Sequence, residues 1–374
     1  MRSKERVLAA INHEKPDRIP MDLGSTNCTT MTLKAYQNLK RFLGINAPDE
    51  LIMKNFQIAA IDEDMLNTLE IDTRGIHGKP PARWQDIVID ENTYISEWGI
   101  KYHMPEGGLY YDMVENPLRG KNIEYLDEFK WPDPEDPGRI EGLRERAAAL
   151  HREGKYAIVG DMIETGIFEP CWYLRGFEDF LMDLMINKGF ARALMRKMVD
   201  CQLRRYEVFL DAVGEYLDIV FVGDDLATAQ STIMSADLYR EMVKPFQKEY
   251  FAGIKSMTKA KLLYHSCGNI MPFLDDLVEI GVDILDPVQV SAQGMDTKVL
   301  KQKWGDKLCF WGAIDTSYVL PKGTPEEVAD EVRRRVTELG PEGYVVNPVH
   351  DIQPDVPPEN VVAMFRTARE IVLP

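Results

Sequence analysis

Leu217-Asp218-Ile219-Val220-Phe221-Val222-Gly223-Asp224-Asp225 is an apolar run that ends abruptly in two acids. It lacks strict polar/apolar alternation, which is the pattern of a strand buried on both faces. Comparable runs stand at 19–23, 69–73, 156–160, 262–265, 282–285, 308–311 and 344–346. Helix-sized stretches separate several of them. Residues 177–214 are long enough for two helices, and 235–255 open on Ser235 as an N-cap. Thr324-Pro325-Glu326-Glu327 joins a capping threonine, a proline at the first helical position and first-turn acids; its helix stops at Gly340-Pro341. Strand and helix alternating about eight times predict a (β/α)8 TIM barrel, an α/β fold. A doubly wound sheet with a dinucleotide site would need Gly-x-Gly-x-x-Gly after an early strand, and no such motif is present.

Residues 79–130 break this rhythm. They are rich in Pro, Trp, Tyr and Gly, with a hairpin expected across 87–102 that turns at Asp90-Glu91-Asn92. The run Trp131-Pro132-Asp133-Pro134-Glu135-Asp136-Pro137 cannot be helix interior. We read 79–130 as an insertion over one barrel mouth, in the N-terminal half of a single domain spanning 1–374. Arg204-Arg205 and Arg333-Arg334-Arg335 read as solvated helix faces.

Composition narrows the function. A 45% hydrophobic and 28% charged chain of 374 residues is globular, with enough apolar residues for a large core. With 44 basic and 61 acidic residues the net charge is −17, which argues against nucleic acid and anionic membrane surfaces as partners. No run approaches the roughly 18 apolar residues of a membrane span. The apolar run at 7–11 is too short for a signal segment, so a cytoplasmic location is expected. Five dispersed cysteines, Cys28, Cys171, Cys201, Cys267 and Cys309, are unlike a secreted disulfide framework. One or two are expected to do chemistry and the others to pack. Asn27-Cys28-Thr29 formally fits a glycosylation acceptor, but no secretory signal accompanies it.

In a barrel, functional residues follow the C-terminal ends of strands. Those positions read Gly24-Ser25-Thr26-Asn27, Gly160-Asp161-Met162-Ile163-Glu164, Gly223-Asp224-Asp225, His265-Ser266-Cys267-Gly268, Asp286-Pro287, Gly312-Ala313-Ile314-Asp315 and Asn347-Pro348-Val349-His350-Asp351. His265 and Cys267, two apart on an extended strand end, share a face and can meet one metal; zinc accepts both donor types. Against this stands a core cysteine beside an incidental histidine. His350 is the other rim histidine, or a loop histidine held by Asp351. Glu164 reads as a metal ligand, a general acid, or an acid favoured at a helix N-terminus. Asp224 and Asp225 could hold substrate or a proton, or cap the next segment. Phe168, Trp172 and Tyr173 are core or a pocket wall. His13, His77, His103 and His151 are expected at the surface.

These residues resemble the uroporphyrinogen decarboxylase superfamily. The resemblance runs from Arg6-Val7-Leu8-Ala9-Ala10-Ile11-Asn12-His13-Glu14-Lys15-Pro16-Asp17-Arg18-Ile19-Pro20 to Pro357-Pro358-Glu359-Asn360-Val361. It is most specific in Gly223-Asp224-Asp225-Leu226, Tyr264-His265-Ser266-Cys267-Gly268, Gly281-Val282-Asp283-Ile284-Leu285 and Phe310-Trp311-Gly312-Ala313-Ile314-Asp315. It implies a distorted barrel. The decarboxylases carry substrate-binding arginines after the first strand, where this chain reads Met21-Asp22-Leu23-Gly24-Ser25-Thr26 with no arginine. The cobamide-dependent methyltransferases of the superfamily bind zinc through His-x-Cys after the fifth strand and a third ligand, usually Cys, after the eighth. Here the resemblance implies His265 and Cys267, with His350 as substitute third ligand and Glu164 as a possible fourth. A single thiolate leaves zinc electrophilic and suited to an ether oxygen. The function expected is therefore methyl transfer from a methyl ether, such as a methoxylated aromatic, to the cobalt of a corrinoid (cobalamin) carried by a partner protein. Glu164 and Asp224 are the expected catalytic acids. The alternatives are a methylcorrinoid:thiol methyltransferase, a decarboxylase-like lyase and a non-enzymatic barrel; a homodimer is compatible with each.

Overall fold

A computed structural model describes residues 1–373. Seven parallel strands stand in chain order round one curled sheet: β1 Thr73–His77, β2 Ala157–Asp161, β3 Ile219–Gly223, β4 Lys261–His265, β5 Ile284–Val288, β6 Cys309–Ile314 and β7 Tyr344–Pro348. The eighth position is filled by residues 19–23. Val346 N–H donates to Pro20 O (2.9 Å) and Asp22 N–H to Val346 O (3.0 Å) on one side, while Asp72 N–H donates to Met21 O (3.0 Å) on the other. Pro20 has no N–H to give, so the segment makes one bridge at Met21 rather than a full ladder. Side chains complete the closure. Buried Asp22 accepts from Thr73 Oγ1 of β1, Trp311 Nε1 of β6 (2.9 Å) and Asn347 Nδ2 of β7 (3.1 Å).

The strands alternate between two cores along most of their length. Ala157, Val159, Ile219, Phe221, Leu263, Ile284, Cys309, Trp311 and Val345 form the interior, joined by Val7, Ala10 and Ile11 of the first helix (Ser3–Ile11). The apolar run at 7–11 is thus the plug of the N-terminal end of the barrel. Their sequence neighbours Ile158, Val220, Leu262, Tyr264, Leu285, Phe310 and Tyr344 face the surrounding helices. The barrel is open at its C-terminal end.

Most expected elements stand where the pattern put them. The stretch 177–214 forms Phe177–Ile186 and Lys188–Val213, and Thr324 caps Pro325–Leu339 with a full capping box. Ser235 caps its helix, which breaks at Val243 ahead of Pro245 into Ala236–Met242 and Lys244–Met257. The run 69–73 is displaced: Asp62 caps a short helix, Glu63–Thr68, so Leu69 and Ile71 pack as its exit and the strand starts at Thr73. The hairpin is part of a four-stranded antiparallel sheet, Ile87–Asp90, Thr93–Ile95, Lys101–His103 and Asp112–Glu115. Arg205 is not solvated but buried, and Arg335 is tied to Glu331 and Glu338; Arg204 is half-buried, and Arg333 and Arg334 stay exposed. Among the described residues no helix is long and apolar enough to cross a membrane.

Candidate metal centre and active site

Parallel register puts His265 beside Gly223 on β3 and Asp286 on β5, at the open end of the barrel. Its Nδ1 lies 2.6 Å from Asp286 Oδ2, which turns Nε2 toward Cys267, 3.6 Å from Sγ. A carboxylate behind a histidine in this way fixes the tautomer and frees the other nitrogen for a metal. Cys267 N–H donates to Asp225 Oδ1 (2.8 Å). The turn closes at Gly268, whose φ is +91° and where a Cβ would stand 2.5 Å from Thr228 O. His350, just past β7, stacks edge-on to His265 with ring centres 5.3 Å apart.

Cys28 completes the cluster. It lies beyond the closing segment, on a loop pinned by Asn27 N–H to Asp161 Oδ2 (2.7 Å) and Thr30 N–H to Asp351 Oδ1 (3.1 Å). Cys28, His265 and His350 bring their ligand atoms within 4.8 Å of one another, and so do Asp225, His265 and Cys267. His265 belongs to both groups. The two groups, one of a thiol and two imidazoles and one of a thiol, an imidazole and a carboxylate, are donor sets that fit a borderline-soft metal ion.

The electrostatics fit the same reading. Burial pushes both thiols well up, and acids reinforce this: Asp351 and Asp286 at Cys28, Asp225 and Asp286 at Cys267. Burial pulls His265 down to about 4, so its ring is neutral. Desolvation also opposes charge on His350, but Asp351, Asp225 and Asp286 outweigh it and raise it to about 9. The metal-free cluster therefore carries protons that an ion would displace.

The expected acids are placed differently. Glu164 belongs to neither ligand group; its Oε2 accepts from Trp98 Nε1 at 3.1 Å, and burial pushes its carboxyl up. Ile163 and Glu164 both have left-handed backbones (φ 56° and 53°), a costly pair for side-chain-bearing residues. Gln202 holds them by donating to Glu164 O (2.8 Å), and Arg205 by donating to Glu164 O (3.2 Å) and Ile163 O (3.4 Å). Asp224 is an anchor. Its carboxylate accepts from the N–H groups of Ile167, Phe168 and Glu169 and from Gln247, and it does not line the cavity. Asp225 does, with Glu169, which sequence reasoning missed; burial and Asp225 raise Glu169 to about 8.

These groups line a cavity of 380 Å³ at the barrel mouth. The antiparallel sheet and its connections supply Trp98, Ile100, Tyr102 and Tyr110. Of the three expected aromatics only Tyr173 reaches the cavity; Phe168 packs on Phe180 in the core. Of the four histidines expected at the surface only His151 is exposed, and His77 is wedged between Gly24 O (3.1 Å) and Asp161.

Residues 88–371 match the family described as uroporphyrinogen decarboxylase (URO-D). The chain belongs to the uroporphyrinogen decarboxylase family. Uroporphyrinogen decarboxylase of Psychromonas ingrahamii is 24% identical over 289 residues, which cover 71% of this chain and 75% of that protein. Methylated-thiol--coenzyme M methyltransferase of Methanosarcina mazei is 24% identical over 261 residues, covering 69% and 66%. A solved methyltransferase from Methanosarcina mazei shares the fold, with a TM-score of 0.66 over 99% of each chain at 17% identity. This uroporphyrinogen decarboxylase family member thus has relatives of two activities, and its own site has to discriminate between them.

Proposed function

We propose that this family member is a zinc-dependent methyltransferase that moves a methyl group from an aromatic methyl ether to the cobalt of a corrinoid protein. The observation that carries the reading is the convergence of Cys28, His265, Cys267 and His350 beside an aromatic-walled cavity. The related decarboxylase would have to hold a polycarboxylate, yet no arginine or lysine lines this cavity among the described residues. The relationship to a methyltransferase supports the alternative.

Zinc held by His265 and Cys267, with Cys28 and His350, would supply Lewis-acid polarisation of the donor atom that loses the methyl group. The chain's own residues do the rest. Asp286 holds His265 in one orientation. Trp98, Tyr102 and Tyr173 flank an aryl ring and exclude water from it. Glu164, whose carboxyl burial pushes toward its neutral form, lines the cavity as the group that can protonate the departing oxygen. The mouth faces outward, so a docked protein can approach the methyl carbon.

Cys28 favours a second reading. With both Cys28 and Cys267 as thiolates the site is richer in electrons than His265, Cys267 and His350 alone would make it. That suits methyl transfer from a methylcorrinoid protein to a thiol. The deciding experiment is anaerobic incubation of the zinc-loaded protein with a methoxylated arene and a cobalt(I) corrinoid protein, following the cobalt(I) absorbance. Loss of that signal with methylcobalt appearing, abolished in His265→Ala, supports ether demethylation. Inertness toward methyl ethers, with methylation of a thiol from methylcobalamin, would establish the second reading instead.

A further inference from the structure

The charge balance of the cavity says more about the substrate than its size does. Four carboxyl groups line it, Glu164, Glu169, Asp225 and Asp351, against no arginine or lysine among the described residues. The Arg205 guanidinium stands behind the wall, 5.9 Å from the Trp98 ring centre, and is spent on Gln202 and two backbone carbonyls. An anionic substrate would therefore lose its hydration and meet no compensating cation from Lys or Arg.

The same acids do not await a cationic substrate, because burial disfavours charge on Glu164 and Glu169. Each already has a donor from the protein: Trp98 Nε1 for Glu164 (3.1 Å), Tyr173 OH for Glu169, Cys267 N–H for Asp225 (2.8 Å) and Thr30 N–H for Asp351 (3.1 Å). Asp351 also lies 3.2 Å from the His350 ring. What the cavity offers a ligand is aromatic surface from Trp98, Tyr102, Tyr110 and Tyr173, plus the amides of Asn55 and Gln353.

We infer that the methyl donor is an uncharged arene, a methoxyphenol in its neutral form, and that the cavity rejects ring-carboxylated methoxyarenes and sulfonated thiols. The inference rests on the methyl-transfer reading of this site, but it is tested by binding and not by turnover.

The experiment is titration calorimetry on the zinc-loaded full chain with four probes: 2-methoxyphenol, 4-hydroxy-3-methoxybenzoate, 2-mercaptoethanesulfonate and the trimethylanilinium cation. The methoxyphenol should bind at least about 100-fold more tightly than the benzoate, the separation expected when a carboxylate is desolvated in a site that offers it no lysine or arginine. Gln353→Arg places a cation on the cavity wall and should bring the two within about tenfold. Equal or tighter binding of the benzoate or the sulfonate, tighter binding of the trimethylanilinium, or binding of none of the four, overturns the inference. So does a benzoate affinity that Gln353→Arg leaves unchanged. Selective methoxyphenol binding without methyl transfer to any corrinoid protein would leave this inference standing and remove the proposed function.

Discussion

Asp286 and His265 sit in register on adjacent strands, and their side chains meet at 2.6 Å between Oδ2 and Nδ1. Both are buried, so the pair is dry and its geometry rigid. Asp286 is therefore the positioning residue for the histidine common to both ligand groups. Asp286→Asn should lower metal affinity by about 10–100-fold while leaving the fold intact. A chelator competition assay gives the number, and an unchanged affinity would remove Asp286 from the site.

The donor set separates into testable members. Cys267→Ser and Cys28→Ser should each strip most of the metal, because a hydroxyl replaces a thiolate donor. With cobalt(II) in place of zinc, each substitution should remove part of the sulfur-to-cobalt absorption near the ultraviolet edge. If Cys28→Ser keeps full absorption and full metal content, Cys28 only lines the cavity. His350→Ala then decides whether the third donor comes from beyond β7.

Metal uptake should depend steeply on pH. Burial and nearby acids hold the Cys28 and Cys267 thiols protonated, and His350 is raised to about 9. Binding at neutral pH must expel those protons, so affinity rises with pH and falls on acidification. About three protons should leave per ion if all three groups ligate. Calorimetry in buffers of different ionisation heat counts them; a count near zero contradicts the assignment.

Trp98 joins the inserted sheet to the site by its hydrogen bond to Glu164. Trp98→Phe keeps an aromatic wall but frees that carboxyl. The expected result is a fall in kcat of about tenfold or more with a smaller change in KM, matching a group that acts on the departing oxygen. An equal loss in the Trp98→Phe, Glu164→Gln double variant ties the effect to Glu164.

Trp311 is fully buried inside the barrel and donates to Asp22, the residue that closes the ring. Trp311→Ala should cost about 3–5 kcal/mol in unfolding free energy, from the cavity it leaves. Asp22→Ala should cost about 3 kcal/mol, because the Trp311, Asn347 and Thr73 donors lose their acceptor. Urea denaturation measures both.

Much of this architecture was legible in the order of residues alone. Apolar runs without alternation mark strands buried on both faces, and caps such as Thr324 mark helix starts, because these preferences are local. His265 and Cys267 were legible for the same reason: residues two apart on a strand end share a face whatever surrounds them. Cys28 and Glu169 were not. Nothing local distinguishes Cys28 from the packing cysteines. It becomes a candidate ligand only because barrel closure carries its loop round to Asp351 and His265. Asp224 and Asp225 are adjacent and chemically identical, yet one holds a helix start and the other faces the cavity. Local sequence sets which side chains exist at each strand end. Their pairing across the mouth depends on eight strand positions closing into a ring, a long-range packing event that brings together residues more than 300 apart, as in the bond from Thr30 to Asp351.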